Sequence, residues 1–423
     1  MKINTPFHKS FKMTVIAVAC GLIGLEQAAA GFMDESQSSL NFRNFYIERD
    51  FENSTAPNIG SWSQAVMGSF QSGYTDTPVQ VGLDVSGQFA LRLNDTNAER
   101  VDTIFTYDFN KGEQKQYYGK VGATLKLKYN ETELKVGELR PMTPVAFIDD
   151  SRQLVTTYAG AMLESKEIKD LKISAGRLTH INSREDDQYT KLSLFAGNAP
   201  RYESDGLNFI GFDYKFSPSI TGAYWYGQLE DIYQQHYANL AYSTKIGDTK
   251  VKVDARYFNN SEVGDAYYGN IDSQSFGLMT AIEHGNHFVM TGARKNEGPS
   301  TFPTLAGYAP QPYLHAWSNL GFVKPNETTW HLLYSYDFKD VGAPGLKATA
   351  RYLHGDGIFR EGLADNKEIE KSLAVKYTVP EGKLKGLGVE FMHIKADTKY
   401  GTGYARGTEF TENRIITTYN YKF

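Results

Sequence analysis

Ten basic residues fall at alternate positions of segments in which apolar and polar side chains take turns: Arg43, Arg92, Lys126, Lys128, Lys252, Arg256, Lys347, Arg351, Lys376 and Arg414. In an extended chain alternate side chains share a face, so these cations line one surface and the apolar residues between them the other. A strip of fixed positive charge between low-dielectric walls focuses potential and concentrates anions. That is steering, with no bond broken. The plainer use of the same residues is neutralisation by Asp or Glu on adjacent strands, which only keeps a wall wet.

A second group lies in residues 140–158, where Arg140, Asp149, Asp150, Ser151 and Arg152 follow Pro141 and Pro144. The prolines stiffen the segment and remove donors, and an acid pair facing a basic wall would set up a transverse field. Read alone, it is equally an ordinary surface loop turning at Asp149-Asp150.

Reaction chemistry has no comparable signal. The chain lacks G-x-S-x-G, H-E-x-x-H, G-x-x-x-x-G-K-[ST] and an EF-hand loop. His284 and His287 sit in a short turn, where two solvated histidines are the ordinary reading, and no metal or cofactor site is expected. A Ser/His/Asp set assembled from distant loops stays open as an alternative.

The elements that must position these residues are strands. Val81, Leu83, Val85, Phe89 and Leu91 share one face of their segment, and Asp84, Ser86, Gln88 and Arg92 the other; Val121, Ala123, Leu125, Leu127 and Tyr129 oppose Thr124, Lys126 and Lys128. Similar alternation recurs at 250–258, 330–338, 346–353 and 373–377. Short turn-like links at 71–78, 130–132, 165–170, 217–219, 246–249, 284–286, 340–345 and 380–386 alternate with longer ones at 51–61, 94–117, 140–158, 179–205, 228–235, 259–273, 295–327, 355–368 and 396–411. Eight short and nine long links join 18 strands. This predicts an all-β, antiparallel, up-and-down transmembrane barrel with both ends on the short-turn side.

Composition agrees with membrane strands. Aromatic residues make up 13%, with 28 Tyr and 25 Phe, and mean hydropathy is −0.45. Only alternate residues of such a wall face lipid, and Tyr and Phe form its interfacial girdles. Residues 1–30 have the build of a cleaved export signal: Lys2, Lys9 and Lys12, an apolar stretch from Met13 to Leu25, then Ala28-Ala29-Ala30. The sole cysteine, Cys20, lies within it, with a lipoprotein site as the alternative reading. Three lysines less Glu26 give the segment +2 of the chain's −5, leaving −7 beyond it and no hint of nucleic acid as partner. The final segment alternates Ile415, Thr417, Tyr419, Tyr421 and Phe423. Such an aromatic end suits the machinery that assembles outer-membrane barrels.

Four stretches carry a family resemblance: 40–51 (LNFRNFYIERDF), 136–160 (VGELRPMTPVAFIDDSRQLVTTYAG), 207–237 (LNFIGFDYKFSPSITGAYWYGQLEDIYQQHY) and 342–358 (GAPGLKATARYLHGDGI). The chain resembles the OprD-type substrate-specific porins of the Gram-negative outer membrane. The resemblance implies an 18-stranded barrel in lipid and lipopolysaccharide, its third long loop (140–158) folded into the lumen. It also implies a basic ladder, including Arg351 and Arg414, that guides small polar solutes bearing carboxylates, such as amino acids or organic acids. One departure stands out. In 386–394 (GLGVEFMHI) Glu390 and Met392 occupy inward positions where the family carries arginines, which weakens strict anion preference. A weakly selective diffusion channel is the second expectation, and a barrel enzyme or surface protein the third.

Overall fold

The computed structural model describes residues 29–52, 58–94, 102, 104–108, 110–195, 202–361, 363–399 and 409–423. Most of the expected export segment, and parts of the links at 51–61, 94–117, 179–205 and 396–411, lie outside them. Eighteen long antiparallel strands form the wall: β1 (Gln37–Phe51), β2 (Ile59–Gln71), β3 (Gln80–Arg92), β4 (Tyr117–Tyr129), β5 (Thr132–Leu139), β6 (Thr157–Ser165), β7 (Leu171–Asn182), β8 (Leu207–Lys215), β9 (Ile220–Leu229), β10 (Tyr233–Ile246), β11 (Thr249–Glu262), β12 (Asp272–His284), β13 (His287–Glu297), β14 (Thr328–Asp337), β15 (Leu346–Arg360), β16 (Leu363–Thr378), β17 (Gly388–Lys399) and β18 (Phe410–Lys422). Each pairs with its sequence neighbours, and β1 pairs with β18 from Ser39↔Lys422 to Phe51↔Phe410. The sheet therefore closes, so that each of the eighteen strands has a neighbour on both sides and no strand stands at an open edge among the described residues. Phe423 exchanges backbone hydrogen bonds with Ser38 and finishes the seam.

Alternation decides which face looks outward. On β4, Val121 is 76% and Leu125 43% exposed, while Lys120, Thr124 and Lys126 of the opposite parity are buried. Outward aromatics gather at two heights. Trp62, Phe89, Tyr117 and Trp330 lie toward the long links, and Tyr214, Phe216, Tyr242, Tyr377 and Tyr421 toward the short ones. These are the two girdles of a membrane barrel.

The tight links follow turn chemistry. Gly247 and Gly285 open two-residue connections with φ of 58° and 56°, and Asn130 opens a third with φ 50°. Left-handed backbone at that position matches the twist of a hairpin, and Gly or Asn adopts it readily.

Link lengths differ from the sequence expectation in places. The expected long links at 228–235 and 355–368 are only 230–232 and 361–362. At the first, Asp231 with φ 59° closes a tight turn. At the second, β15 and β16 stay paired through register shifts between Gly355 and Arg360. The polar residues that read as loop belong to strands that continue past the apolar belt. The two longest links on the short side, 72–79 and 379–387, lie where the sequence placed them, at 71–78 and 380–386.

Apolar side chains also occupy the opposite, inward face in the half of the wall near the long links. Phe209, Trp225, Tyr237 and Phe258 are buried against Val145 and Ala146 of link 140–156 and against Phe302, Leu305, Tyr308 and Leu314 of link 298–327. Phe45, Ile47, Ala65 and Ala90 cluster with Ile104, Phe105 and Leu154. Burial against these links accounts for apolar residues on a face that the belt alone would leave polar.

Candidate functional site

The strands bring three guanidinium groups, Arg43, Arg49 and Arg414, toward link 140–156, which carries Arg152 itself and is met by Arg184 from another link. Arg43 on β1 donates from Nη1 to the carbonyls of Asp150 at 3.2 Å and Arg152 at 2.6 Å. Gln153 returns a bond to the Arg43 carbonyl at 3.1 Å. On β18, Arg414 pairs with Glu412 at 2.6 Å and reaches Ser151 O at 3.3 Å and Asn319 Oδ1 at 2.8 Å. Arg49 holds the other oxygen of Glu412 at 2.5 Å. Arg184, in the link after β7, contacts Asp149 at 2.6 Å and Ser151 Oγ at 2.9 Å. Arg152 itself is buried.

Positive charge exceeds negative in this group. Burial, then the neighbouring Arg184 and Arg414, press the Arg152 pKa well below its ordinary value. Burial alone would raise the Asp149 carboxyl, but Arg184 holds it below the usual range, and Asp149 in turn raises Arg184 against the cost of burial. The acid pair is thus split: Asp149 is an anchor, while Asp150 is engaged through its backbone carbonyl. Arg140 turns away from the tip, to Glu138 at 3.3 Å and Ser86 at 3.1 Å.

The remaining cations of the strip share the inward parity but differ in freedom. Arg92 is locked to Asp102 at 2.6 Å, with both side chains nearly inaccessible. Lys126 is bound to Asp84 at 2.6 Å and to the Ser72 carbonyl at 2.9 Å. Lys128 lies 5.7 Å from the Tyr74 ring. Lys252 and Arg256 share Asp254 at 3.4 and 2.9 Å, and Arg256 also donates to Pro312 O at 2.6 Å. Lys376 faces Glu390 at 3.9 Å. Lys347 makes no ion pair among the described residues. Arg351 lies 5.7 Å from the Trp317 ring with Nε and Nη1 unpartnered among the described residues, and Arg414 approaches the same ring at 5.3 Å. Met392 is buried with Ala374 and Ile394, so it contributes no polar group.

Sequence reasoning missed several members. Arg49 shares the parity of Arg43 and Lys120 that of Lys126, so continuing the alternation finds both; Arg294, buried on β13, is a third. Lys120 donates to Ser183 O at 2.7 Å and to Asn182, and Arg294 to the Phe322 carbonyl. Arg184 and Trp317 lie in long links and carry no periodic signal.

Two cavities flank link 140–156. One of about 850 Å³ is lined by Asp149, Asp150, Arg152, Arg184, Trp317 and Asn319. The other, of about 430 Å³ on the short-link side, is lined by Asp84, Lys135, Glu138, Arg140, Glu164 and Lys172. Met142 borders both. Charged groups thus line the space on each side of this loop.

A closed barrel with an apolar outer belt and charged, water-sized spaces inside is a porin of the Gram-negative outer membrane. Residues 30–423 match the profile of the outer membrane porin, OprD family, and the chain belongs to that family of substrate-specific channels. It is 30% identical over 399 residues to the porin-like protein GalP of Pseudomonas putida, covering 93% of this chain and 94% of that one. Among solved structures, Acinetobacter baumannii OccAB4 shares 34% identity with a TM-score of 0.86, covering 92% of this chain and 98% of that one. Pseudomonas aeruginosa OpdK with vanillate shares 31% with a TM-score of 0.85, covering 93% and 100%. These relatives are channels, not enzymes.

Proposed function

We propose that this porin passes small carboxylate-bearing solutes, organic acids or amino acids, by diffusion along a basic strip that runs past link 140–156. The observation that carries the reading is that Arg43, Arg184 and Arg414 bond to residues 149–152, Arg152 among them, beside the larger cavity, with Arg49 joined to the group through Glu412. Link 140–156 hangs between β5 and β6, yet its bonds run to β1, β3 and β18. These cross-barrel contacts support a loop folded into the lumen that narrows the passage. Arg351, beside Trp317, adds a further guanidinium on the inner face, and a guanidinium is the side chain that pairs a planar carboxylate through two parallel bonds. Vanillate, in the structure of the relative OpdK, is an aromatic carboxylate.

Charge compensation supports a second, weakly selective reading. Arg92 and Lys126 are neutralised by short ion pairs, and Glu390 sits against Lys376. Competition of single-channel current by benzoate-like acids, basic amino acids and neutral sugars separates the two. Concentration-dependent block by one class supports selectivity, and equal indifference to all three supports general diffusion. Two further elements of the proposal concern biogenesis: residues 1–30 direct export and are removed, and the aromatic C-terminal strand is read by the barrel-assembly machinery.

A further inference from the structure

The outward face of β15 to β17 carries cations that the wall itself neutralises only in part. Lys371 on β16 and Lys395 on β17 are direct cross-strand partners. Both share the outward parity of Leu373, Tyr377, Val389 and Phe391, which are 43–46% exposed, whereas Glu370, Ser372, Ile394 and Ala396 are buried on the inner side. Lys367 continues the outward row of β16. His393 continues that of β17 and lies 2.8 Å from Asn413. Like charges directly opposite one another in an antiparallel pair repel. Lys371 and Lys367 make no ion pair among the described residues, and Lys395 has only loose contacts, 3.6 Å to Glu52 and 3.8 Å to Asp397.

Height gives this charge a meaning. Outward residues on β16 run Tyr377, Val375, Leu373, Lys371, Ile369, Lys367, and on β17 Val389, Phe391, His393, Lys395, Asp397. On both strands the apolar run stops and cations begin on the side of the long links. The rings of Trp330 and Tyr352 lie 4.9 Å apart beside them, and Lys371 lies 5.9 Å from Tyr352. Paired aromatics of this kind mark the belt's edge, where lipid headgroups sit. In the outer leaflet of this membrane those headgroups are phosphorylated sugars.

We propose that Lys371 and Lys395, with Lys367 and His393 beside them, bind a phosphate of an outer-leaflet glycolipid. Two ammonium groups from adjacent strands converge on one phosphate, and the bound anion removes the repulsion that the bare pair carries. Glu52, Asp397 and Asp356 flank the site toward the rim. The inference rests on outer-membrane placement alone and is independent of which solute the pore conducts.

Delipidated protein titrated with bisphosphorylated lipid A, dephosphorylated lipid A or inorganic phosphate, with bound species counted by native mass spectrometry, tests it. The expected result is binding of the phosphorylated lipid alone, weakened about tenfold by Lys371→Ala and again by Lys395→Ala. Lys245→Ala, on the short-link rim, leaves the affinity unchanged. Since Lys371 is exposed, Lys395 is half-buried with only loose ion contacts and the two repel, the double variant also melts no lower than wild type in detergent without lipid. The proposal is overturned by equal binding of the two lipids, by competition from an equal concentration of inorganic phosphate, or by a Lys245→Ala loss matching that of Lys371→Ala. Unchanged affinity in the double variant overturns it as well.

Discussion

Arg43 Nη1 lies 2.6 Å from the carbonyl oxygen of Arg152, so the first strand of the barrel holds a loop that leaves the wall between the fifth and sixth. The bond ties together elements far apart along the wall. On the proposed reading, it makes the segment a partition between the two cavities.

Removing that hold loosens the partition. Arg43→Ala forfeits a charge-assisted hydrogen bond, about 2 kcal/mol, which raises the population of a displaced loop by roughly thirtyfold. Single-channel recordings of the variant are expected to show added excursions to higher conductance. A trace identical to wild type places the constriction elsewhere.

The anchor on the other side of the loop predicts a pH dependence. Asp149 has its folded pKa below the ordinary carboxyl value because of Arg184. Its contribution is therefore complete above about pH 4 and is lost as pH falls through the folded value. Conductance is expected to be flat from pH 7 to 5 and to rise on further acidification. Asp149→Asn shows the raised conductance already at pH 7, with the acid-induced rise reduced.

Much of this was legible in period-2 alternation, which assigns Arg43, Arg351, Arg414 and Glu390 to one face without knowledge of the fold. What alternation cannot supply is the counter-ion. Asp102 and Asp149, which engage Arg92 and Arg184, come from links whose path is set by packing and not by period. Apolar Trp225 and Phe258 on the inner face also defeat the rule that apolar means lipid-facing, because links from elsewhere cover them. The hairpins at 230–232 and 361–362 read as long loops because strands above the belt lose their lipid-facing apolar residues while keeping their backbone pairing.

Topology has a direct check. Asp248 lies in a tight link, 94% side-chain exposed, and Asp265 in the longer link 263–271. Cysteines at each position should label differently in intact cells with an impermeant reagent: Asp265→Cys reacts and Asp248→Cys does not. The reverse pattern inverts the barrel.

The proposed selectivity rests on charges on the inner face. Neutralising Arg351 or Arg414 with Gln should move the reversal potential under a salt gradient toward cation preference. Glu390→Gln should move it toward anions, because Lys376, 3.9 Å away, loses its counter-charge. Both effects grow as salt is lowered, since the Debye length lengthens from about 8 Å at physiological salt to about 30 Å at 0.01 M. Potentials unmoved by all three substitutions remove these residues from the conducting path.

The most direct measurement is flux into proteoliposomes of a small carboxylate and of a neutral sugar of matched size, compared at low and high ionic strength. The basic strip predicts that the carboxylate enters faster at low salt and that its advantage shrinks as salt rises, because a screened field and no covalent site draws it in. Equal entry of the two solutes at every salt concentration, or faster entry of the sugar, contradicts it.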